Sequence, residues 1–228
     1  MKAGWLSVLA ISPFFWACGP DKRTPEEKGK AGYASANCRQ CHVVGGEGGL
    51  IGPDLTFVGF RKSAAFLDLW LKDPQGWQES TKMPAFRFTD QTRRNIVAYL
   101  ATLKGQGYAT AKPWDDPTVK GDPVKRGAVL FERAGCATCH GKGGAGGFKN
   151  NNVPGDKIPA LRETASTYTR AELVRKIKNG VPHPDKKDPK GPEPMLAMPA
   201  WGQALTDDEM GALASYLLTL KPTTDAGF

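Results

Sequence analysis

Four cysteines and two histidines of this chain stand in two matching patterns that could hold a metal cofactor. Each pattern is a pair of cysteines separated by two residues and followed at once by a histidine. Cysteines at this spacing project from one turn and can form thioether bonds to the two vinyl groups of one haem, while the adjacent histidine ligates the iron. The pattern therefore predicts two covalently attached c-type haems, at Cys38, Cys41 and His42 and at Cys136, Cys139 and His140.

Three other uses of paired cysteines fit the sequence less well. A zinc ribbon places its second cysteine pair about 15–20 residues after the first, whereas here the next pair after Cys41 begins at Cys136. A thioredoxin-like redox pair needs a βαβ setting, and the sequence carries no alternating apolar run that indicates strands. Disulfides between neighbouring cysteines would leave both following histidines unexplained. Haem attachment is the interpretation that uses all six residues.

The two motifs belong to a longer internal repeat. Cys136 follows Cys38 by 98 residues, and the residue types around both cysteines agree. Each copy has a glycine and an aromatic residue before its motif and a glycine-rich loop, a Pro-x-Leu, a helical pattern, a Met-Pro-Ala-aromatic run and a closing helix after it. We therefore expect one domain that occurs twice, over residues 24–104 and 124–221, joined by a linker over 105–123.

Helical patterns recur at matching places in the two copies. The closing helices, predicted over Thr89–Lys104 and Thr206–Lys221, carry apolar residues at i, i+3, i+4 and i+7, on one face. Thr206 with Glu209 forms a capping box, and Thr89 is an N-cap. The predicted fold class is all-α, with two tandem domains, each a few short helices wrapped around a covalently bound haem. Earlier helices are predicted over Ser63–Asp73 and Arg170–Asn179, and the glycines that permit a close helix approach are Gly29 and Gly127.

The amino-terminal residues indicate export. Residues 1–17 combine a basic start with an apolar stretch that is shorter than the about 20 residues of a membrane span and typical of a signal peptide. Ala17, Cys18 and Gly19 resemble the lipidation site of bacterial lipoproteins. The alternatives are an ordinary signal cleaved near Ala17 and an uncleaved anchor. We expect a lipidated Cys18, a tether over 18–23 and a tail over 222–228.

With these motifs each copy resembles a class I cytochrome c domain, and the whole chain resembles a dihaem c-type cytochrome. The likeness rests on the glycine and aromatic residue of the first helix, the Cys-x-x-Cys-His motif, the Pro-x-Leu, a distal methionine and the closing helix. It implies that the carbonyls of Pro53 and Pro159 accept the Nδ1 proton of the ligating histidines and so fix the rings. The alternative for both prolines is a simple turn.

A sixth iron ligand must come from elsewhere in each copy. Met83 lies in a polar, proline-bounded loop before the closing helix, a setting that favours a ligand over a core methionine. In the second copy Met195, Met198 and His183 compete. Met198 is followed by Pro-Ala-aromatic, as Met83 is, whereas His183 lies in an insertion that the first copy largely lacks. The predicted ligands are Met83 and Met198.

Composition and charge exclude some classes of function and favour others. The net charge of +8, from 31 basic and 23 acidic residues, is spread evenly, with no Lys/Arg run dense enough to indicate nucleic-acid binding. Two irons with six ligands each have no open coordination position, so we predict an electron-transfer protein without catalytic residues. A dihaem enzyme of the peroxidase or thiosulfate-oxidising type is the alternative, and it needs an open iron position and acid–base groups. A purely structural subunit would not require two complete haem sites.

The expected partners are redox proteins or subunits of a membrane respiratory complex. The run from Gly52 to Thr56, followed by Asp73-Pro74 and the Met-Pro, resembles cytochrome domains attached to quinol–cytochrome c reductases and terminal oxidases. This resemblance does not choose between those complexes. The modest basic excess favours docking to acidic protein surfaces. A lipidated Cys18 would hold the chain on the outer, periplasmic face of the bacterial cytoplasmic membrane.

Overall fold

The computed structural model describes residues 21–221, and the predictions on residues 1–17, on Cys18 and on the tail 222–228 lie outside that range. The described part is mostly helical, which confirms the predicted fold class. None of its helices is both long and apolar enough to cross a membrane. The α-helices are α1 (Pro25–Ser35), α2 (Val58–Arg61), α3 (Ala64–Lys72), α4 (Pro74–Trp77), α5 (Asp90–Ala101), α6 (Pro117–Lys120), α7 (Pro123–Arg133), α8 (Ala137–His140), α9 (Thr164–Thr167), α10 (Arg170–Asn179) and α11 (Asp207–Leu217). Short 3-10 helices lie at Cys38–Gln40, Gln106–Tyr108, Pro113–Asp115, Lys142–Gly144, Pro154–Asp156 and Trp201–Gln203.

The closing helices begin at the predicted caps. The Thr206 hydroxyl accepts from the Glu209 backbone N–H at 3.2 Å, and the Glu209 carboxylate accepts from the Thr206 backbone N–H at 2.8 Å. These two bonds complete the capping box of α11. Thr89 caps α5 by accepting from the Thr92 backbone N–H. Both predicted caps are therefore confirmed.

Both closing helices end earlier than predicted. α5 ends at Ala101 and α11 at Leu217, three and four residues before the expected ends. After these residues the Leu103 N–H donates to the Leu100 carbonyl, and the second copy repeats the bond between the equivalent leucines. Such i→i+3 bonds tighten the last turn, so the apolar pattern continues beyond the α-helix itself.

Each domain is built on a crossing of its first and last helices. α1 crosses α5 in the first domain, and α7 crosses α11 in the second. A Cβ at Gly29 would lie 1.8 Å from the Asn95 carbonyl oxygen, and one at Gly127 would lie 2.1 Å from that of Ala212. No side chain fits at either place. The predicted close approach at both glycines is confirmed.

Apolar side chains from the crossing helices form one core in each domain. Tyr33 and Ile96 are buried in the first core. Leu130, Met210 and Leu213 are buried in the second. The first-helix aromatic residue and the closing-helix stripe thus face the interior, as the repeat predicts.

One short β-hairpin departs from the all-α prediction. β1 (Val43–Val44) pairs antiparallel with β2 (Glu47–Gly48), directly after the first motif. Gly45 and Gly46 connect the strands with φ of +62° and +86°, left-handed conformations that glycine adopts without strain. Strands of two residues are too short to show an alternating pattern, so the sequence does not reveal them.

The segment predicted as a linker packs against both domains. Trp114 is 1% exposed, and its indole N–H donates to the Glu209 carboxylate at 2.7 Å. Lys112 Nζ donates to the same carboxylate at 2.6 Å. The Tyr108 hydroxyl donates to the carboxylate of Asp54 in the first domain. These contacts fasten the first domain to α11 of the second.

Aromatic side chains also join the two domains directly. The rings of Phe57 and Phe60 lie 5.8 and 5.1 Å from the Trp201 ring, measured between centroids. On another part of the interface the Phe148 ring lies 5.9 Å from that of Trp70. Phe57 and Trp201 are buried, so the two domains share a continuous apolar contact.

Candidate haem sites

The first motif presents a neutral histidine with one free nitrogen. His42 follows the 3-10 turn at Cys38–Gln40, and its Nδ1–H donates to the Pro53 carbonyl at 2.8 Å. A carbonyl oxygen only accepts, so this bond leaves the Nε2 lone pair available to ligate iron. Burial lowers the pKa of His42 below its ordinary value, while the bond to Pro53 acts in the opposite direction. The ring is therefore neutral at pH 7, as a ligand must be.

Glycines let the loop after the motif pass directly over the histidine. A Cβ at Gly52 would lie 2.5 Å from His42 Cε1, and a Cβ at Gly49 would lie 1.9 Å from the Gln40 carbonyl oxygen. The glycine-rich loop thus clamps the ring between its own backbone and the Pro53 carbonyl. This close contact fixes the ring orientation that an axial ligand needs.

Met83 is held by three hydrogen bonds in the loop before α5, one of them from its own backbone N–H to the Thr81 hydroxyl at 3.3 Å. The Trp70 indole N–H donates to the Met83 sulfur at 2.9 Å, and the Gln75 amide donates to the Met83 carbonyl at 2.9 Å. The side chain also packs against the apolar core of the first domain. Its sulfur therefore has a defined position, which a surface methionine would lack.

The second motif repeats the histidine geometry with a longer hydrogen bond. His140 ends α8, and its Nδ1 lies 3.4 Å from the Pro159 carbonyl, against 2.8 Å in the first domain. Burial lowers the pKa of His140, and the bond to Pro159 opposes that effect. This ring is also neutral at pH 7. Pro159 thus has the same relation to His140 that Pro53 has to His42.

The second domain contains a deep apolar cavity at this motif. Its volume is about 790 Å³, within the range of cofactor pockets, about 300–1,000 Å³. Cys136, Cys139, His140 and Met198 all line it. All four cysteines of the two motifs lie within the described residues, and they are free thiols, as thioether formation requires. These groups and the following apolar lining fit a covalently bound haem: Phe131, Leu161, Leu173, Ile177, Trp201 and Leu213.

The three candidates for the second sixth ligand occupy different places. Met198 lines the cavity, and its carbonyl accepts from the Val181 N–H at 2.8 Å. Met195 and His183 are not among the lining residues, and His183 is exposed. The geometry therefore favours Met198, the residue that the Met-Pro-Ala-aromatic repeat indicates.

Three consecutive asparagines position the segment that carries Met198, a role that sequence reasoning missed. The Asn150 side chain is 2% exposed and bonds to both the N–H and the carbonyl of Leu196, at 3.1 and 2.9 Å. Asn151 accepts from the Met195 N–H at 2.7 Å, and Asn152 donates to the Asp188 carbonyl at 2.9 Å. The loop before Pro159 is thereby fastened to the segment between Asp188 and Leu196. The run of three asparagines is the feature of the sequence that could have indicated this positioning role.

The second site also receives two cations from the first domain, which sequence reasoning did not identify. Arg61 donates to the Thr138 hydroxyl at 2.5 Å, and Lys62 Nζ lies 3.2 Å from Cys139 Sγ. Burial raises the pKa of the Cys136 thiol to about 12. Burial acts in the same direction on Cys139, but the charges of Lys62 and Arg61 outweigh it and hold the pKa of that thiol below its ordinary value.

Fold and sites together define a protein of two tandem, covalently haem-binding helical domains. The family model for cytochrome c matches residues 26–104 and 124–221, and the chain belongs to the cytochrome c family. Members of this family carry covalently bound c-type haem, and this chain has the attachment motif in both matched segments. The chain is accordingly a dihaem electron-transfer protein.

Its curated relatives include subunits of respiratory oxidases. The cbb3-type cytochrome c oxidase subunit FixP of Azorhizobium caulinodans is 29% identical over 203 residues, covering 85% of this chain and 59% of that protein. The subunit CcoP of Helicobacter pylori strain 52 is 25% identical over 196 residues, covering 85% of this chain and 58% of that protein. The chain thus spans about three-fifths of the length of these relatives. One solved structure, the Kuenenia stuttgartiensis reducing HAO-like protein complex, matches 86% of this chain and 96% of its own chain with 19% identity. The TM-score of this match is 0.30, which is too low to compare the arrangement of helices.

Proposed function

We propose that this protein passes electrons between a redox donor and a respiratory oxidase of the cbb3 type, using two haems with histidine and methionine ligands. The observation that carries the proposal is that Met198 lines the same cavity as His140, Cys136 and Cys139. The oxidase relatives support the choice of complex. Two saturated irons would leave no open position for an enzyme reaction.

Bound haem supplies a one-electron ferric–ferrous couple. His42 and His140 hold their Nδ1 protons on backbone carbonyls and keep Nε2 free for iron. Met83 and Met198 offer thioether sulfur, which favours ferrous iron more than a second imidazole does.

We propose further that the chain is exported and anchored through a lipidated Cys18 to the periplasmic face of the bacterial cytoplasmic membrane. The apolar stretch before Cys18 and the small residues beside it support this placement. We expect Cys18→Ser to release haem-loaded protein from membranes that lack the partner subunits, with both haem spectra unchanged. A variant that stays bound to such membranes would contradict the lipid anchor.

Isolation from membranes in mild detergent tests the proposed complex. An oxidase should co-purify with the haem-stained chain, and the purified chain should exchange electrons with that oxidase when mixed with it. Carbon monoxide and cyanide should leave the spectrum of the isolated chain nearly unchanged, because both irons are saturated. Ligand binding at one iron, with turnover of peroxide or thiosulfate, would instead identify a dihaem enzyme.

A further inference from the structure

Arg61 of the first domain forms part of the cavity wall in the second domain. Its Nη1 donates to the Thr138 hydroxyl at 2.5 Å and to the Gly135 carbonyl at 3.3 Å. Its Nη2 donates to the carbonyl of Asp54 in its own domain at 3.0 Å. The residue is 7% exposed and lines the same cavity as Cys136. One domain thus completes the haem site of the other.

One polar atom of Arg61 lacks a partner. Its Nε is buried and makes no hydrogen bond to any residue between 21 and 221. Burying a guanidinium with an unpaired N–H is unfavourable, and arginine stays charged at every accessible pH. The guanidinium charge is therefore little screened at the cavity wall, and it would destabilise the ferric form of a haem held there more than the ferrous form.

The charges around this wall are mostly positive. Lys62 Nζ lies 3.2 Å from Cys139 Sγ, beside Arg61. The Asp54 carboxylate accepts from the Tyr108 hydroxyl and lies 3.8 Å from the Arg133 guanidinium, whereas Arg61 bonds to the Asp54 carbonyl. The carboxylate is therefore already opposed by another cation. A net positive potential at a ferric–ferrous couple favours the ferrous form, because reduction removes one positive charge.

We propose that the first domain sets the reduction potential of the second haem through the buried positive charge of Arg61. The inference rests on the proposed electron-transfer function, since it concerns the electron affinity of one of the two haems. Arg61 raises the potential of the second haem, which favours electron transfer from the first haem to the second. When the two Pro-x-Leu segments are aligned, Thr167 of the second domain corresponds to Arg61 of the first. The second domain therefore has no cation at the equivalent position.

Redox titration of the full dihaem chain with Arg61→Gln and Arg61→Lys tests the proposal. Arg61→Gln keeps hydrogen-bonding groups but removes the charge. We expect one of the two haems to become about tenfold harder to reduce, which is about 59 mV for one electron. Arg61→Lys keeps the charge and should leave that potential within about threefold in the equilibrium constant, about half of that shift. Arg94→Gln removes the same charge from an exposed site of the first domain and should move neither potential.

Two results would overturn the proposal: unchanged potentials in Arg61→Gln, or equal shifts in the Gln and Lys variants, which would show a purely structural role. Met83→Ala shows which measured potential belongs to the first haem. It should change the potential that Arg61→Gln leaves unchanged. If Arg61→Gln does not fold, Lys62→Gln removes the adjacent cation and should lower the same potential, and an unchanged potential would contradict the proposal. A wild-type chain with two haems that exchanges no electrons with an oxidase would refute the proposed function and leave this inference standing or falling on its own titration.

Discussion

The indole nitrogen of Trp70 lies 2.9 Å from the Met83 sulfur and donates a hydrogen bond to it. Thioether sulfur is a weak acceptor, so this contact has little value for folding alone. It does fix where the sulfur points. A donor on an iron-ligating sulfur also withdraws electron density from it, which favours ferrous iron.

Trp70→Phe should therefore lower the reduction potential of the first haem and leave that of the second unchanged. The aromatic packing against Phe148 is retained in this variant, while the N–H donor is lost. Spectroelectrochemical titration measures both potentials. Trp77→Phe is the matched control, since Trp77 also packs on Phe66, whereas the N–H that bonds to the Met83 sulfur belongs to Trp70. A shift of equal size in both variants would show that Trp70 acts through packing.

Met198→Ala should remove about half of the weak near-infrared sulfur-to-iron band of the oxidised protein. The physical reason is that Met198 lines the cavity of the second motif, whereas Met195 does not. One of the two reduction potentials should fall, because an imidazole or water that replaces the thioether favours ferric iron. Met195→Ala is the control and should keep the full band. Loss of the band in Met195→Ala alone would show that the assignment to Met198 is wrong.

The motifs, the repeat and the helix caps were predictable because each depends on residues close together in sequence. Thr206 and Glu209 are three residues apart, and their pairing follows from helix geometry. The contacts of Asn150 with Leu196 and of Arg61 with Thr138 join residues 46 and 77 apart. Such pairs depend on how loops and domains pack, which no local pattern encodes. Local patterns were therefore enough to propose the candidate ligands, but not to identify the residues that support them.

Gly52→Ala should disturb the first haem site without preventing haem attachment. The added Cβ would lie 2.5 Å from His42 Cε1, so the ring must shift away from the Pro53 carbonyl. We expect two haems per chain, a changed potential or spin state at the first haem, and a loss of about 1–3 kcal/mol in stability. Gly121→Ala, with nothing within 4 Å of its Cβ, should have no such effect. An unchanged first haem in Gly52→Ala would mean that the ring is not held by this loop.

Asn150→Ala should destabilise the second domain and loosen Met198. It leaves the N–H and carbonyl of buried Leu196 without partners, at about 2–4 kcal/mol for the two groups. Chemical unfolding measures the loss, and the near-infrared sulfur band reports on the ligand. Asn179→Ala, at an exposed asparagine at the end of α10, should change stability by less than about 0.5 kcal/mol. Equal losses in the two variants would argue against a positioning role for Asn150.

Stability should fall in acid partly through Glu209, whose buried carboxylate joins the linker to α11. Burial alone would raise the pKa of Glu209, but hydrogen bonds from Lys112, the Thr206 backbone and Trp114 outweigh it, and the pKa lies below its ordinary value. A carboxyl with a lower pKa in the folded than in the unfolded state stabilises the fold above the unfolded pKa, about 4.5 here. That contribution is lost as pH falls through the folded pKa.

Glu209→Gln should therefore cost about 3 kcal/mol at pH 7, since Lys112 and Trp114 lose their charged acceptor. The difference between wild type and variant should start to shrink as the pH falls below about 4.5, where Glu209 of the unfolded chain takes up a proton, and should vanish as the pH passes the lower folded pKa. Urea unfolding of the haem-loaded chain at several pH values measures it. Glu47→Gln, at a side chain 75% exposed, makes the same chemical change at the surface and should cost less than about 0.5 kcal/mol. A Glu209→Gln penalty that stays constant from pH 7 to pH 3 would show that this carboxylate does not contribute to the acid sensitivity of the fold.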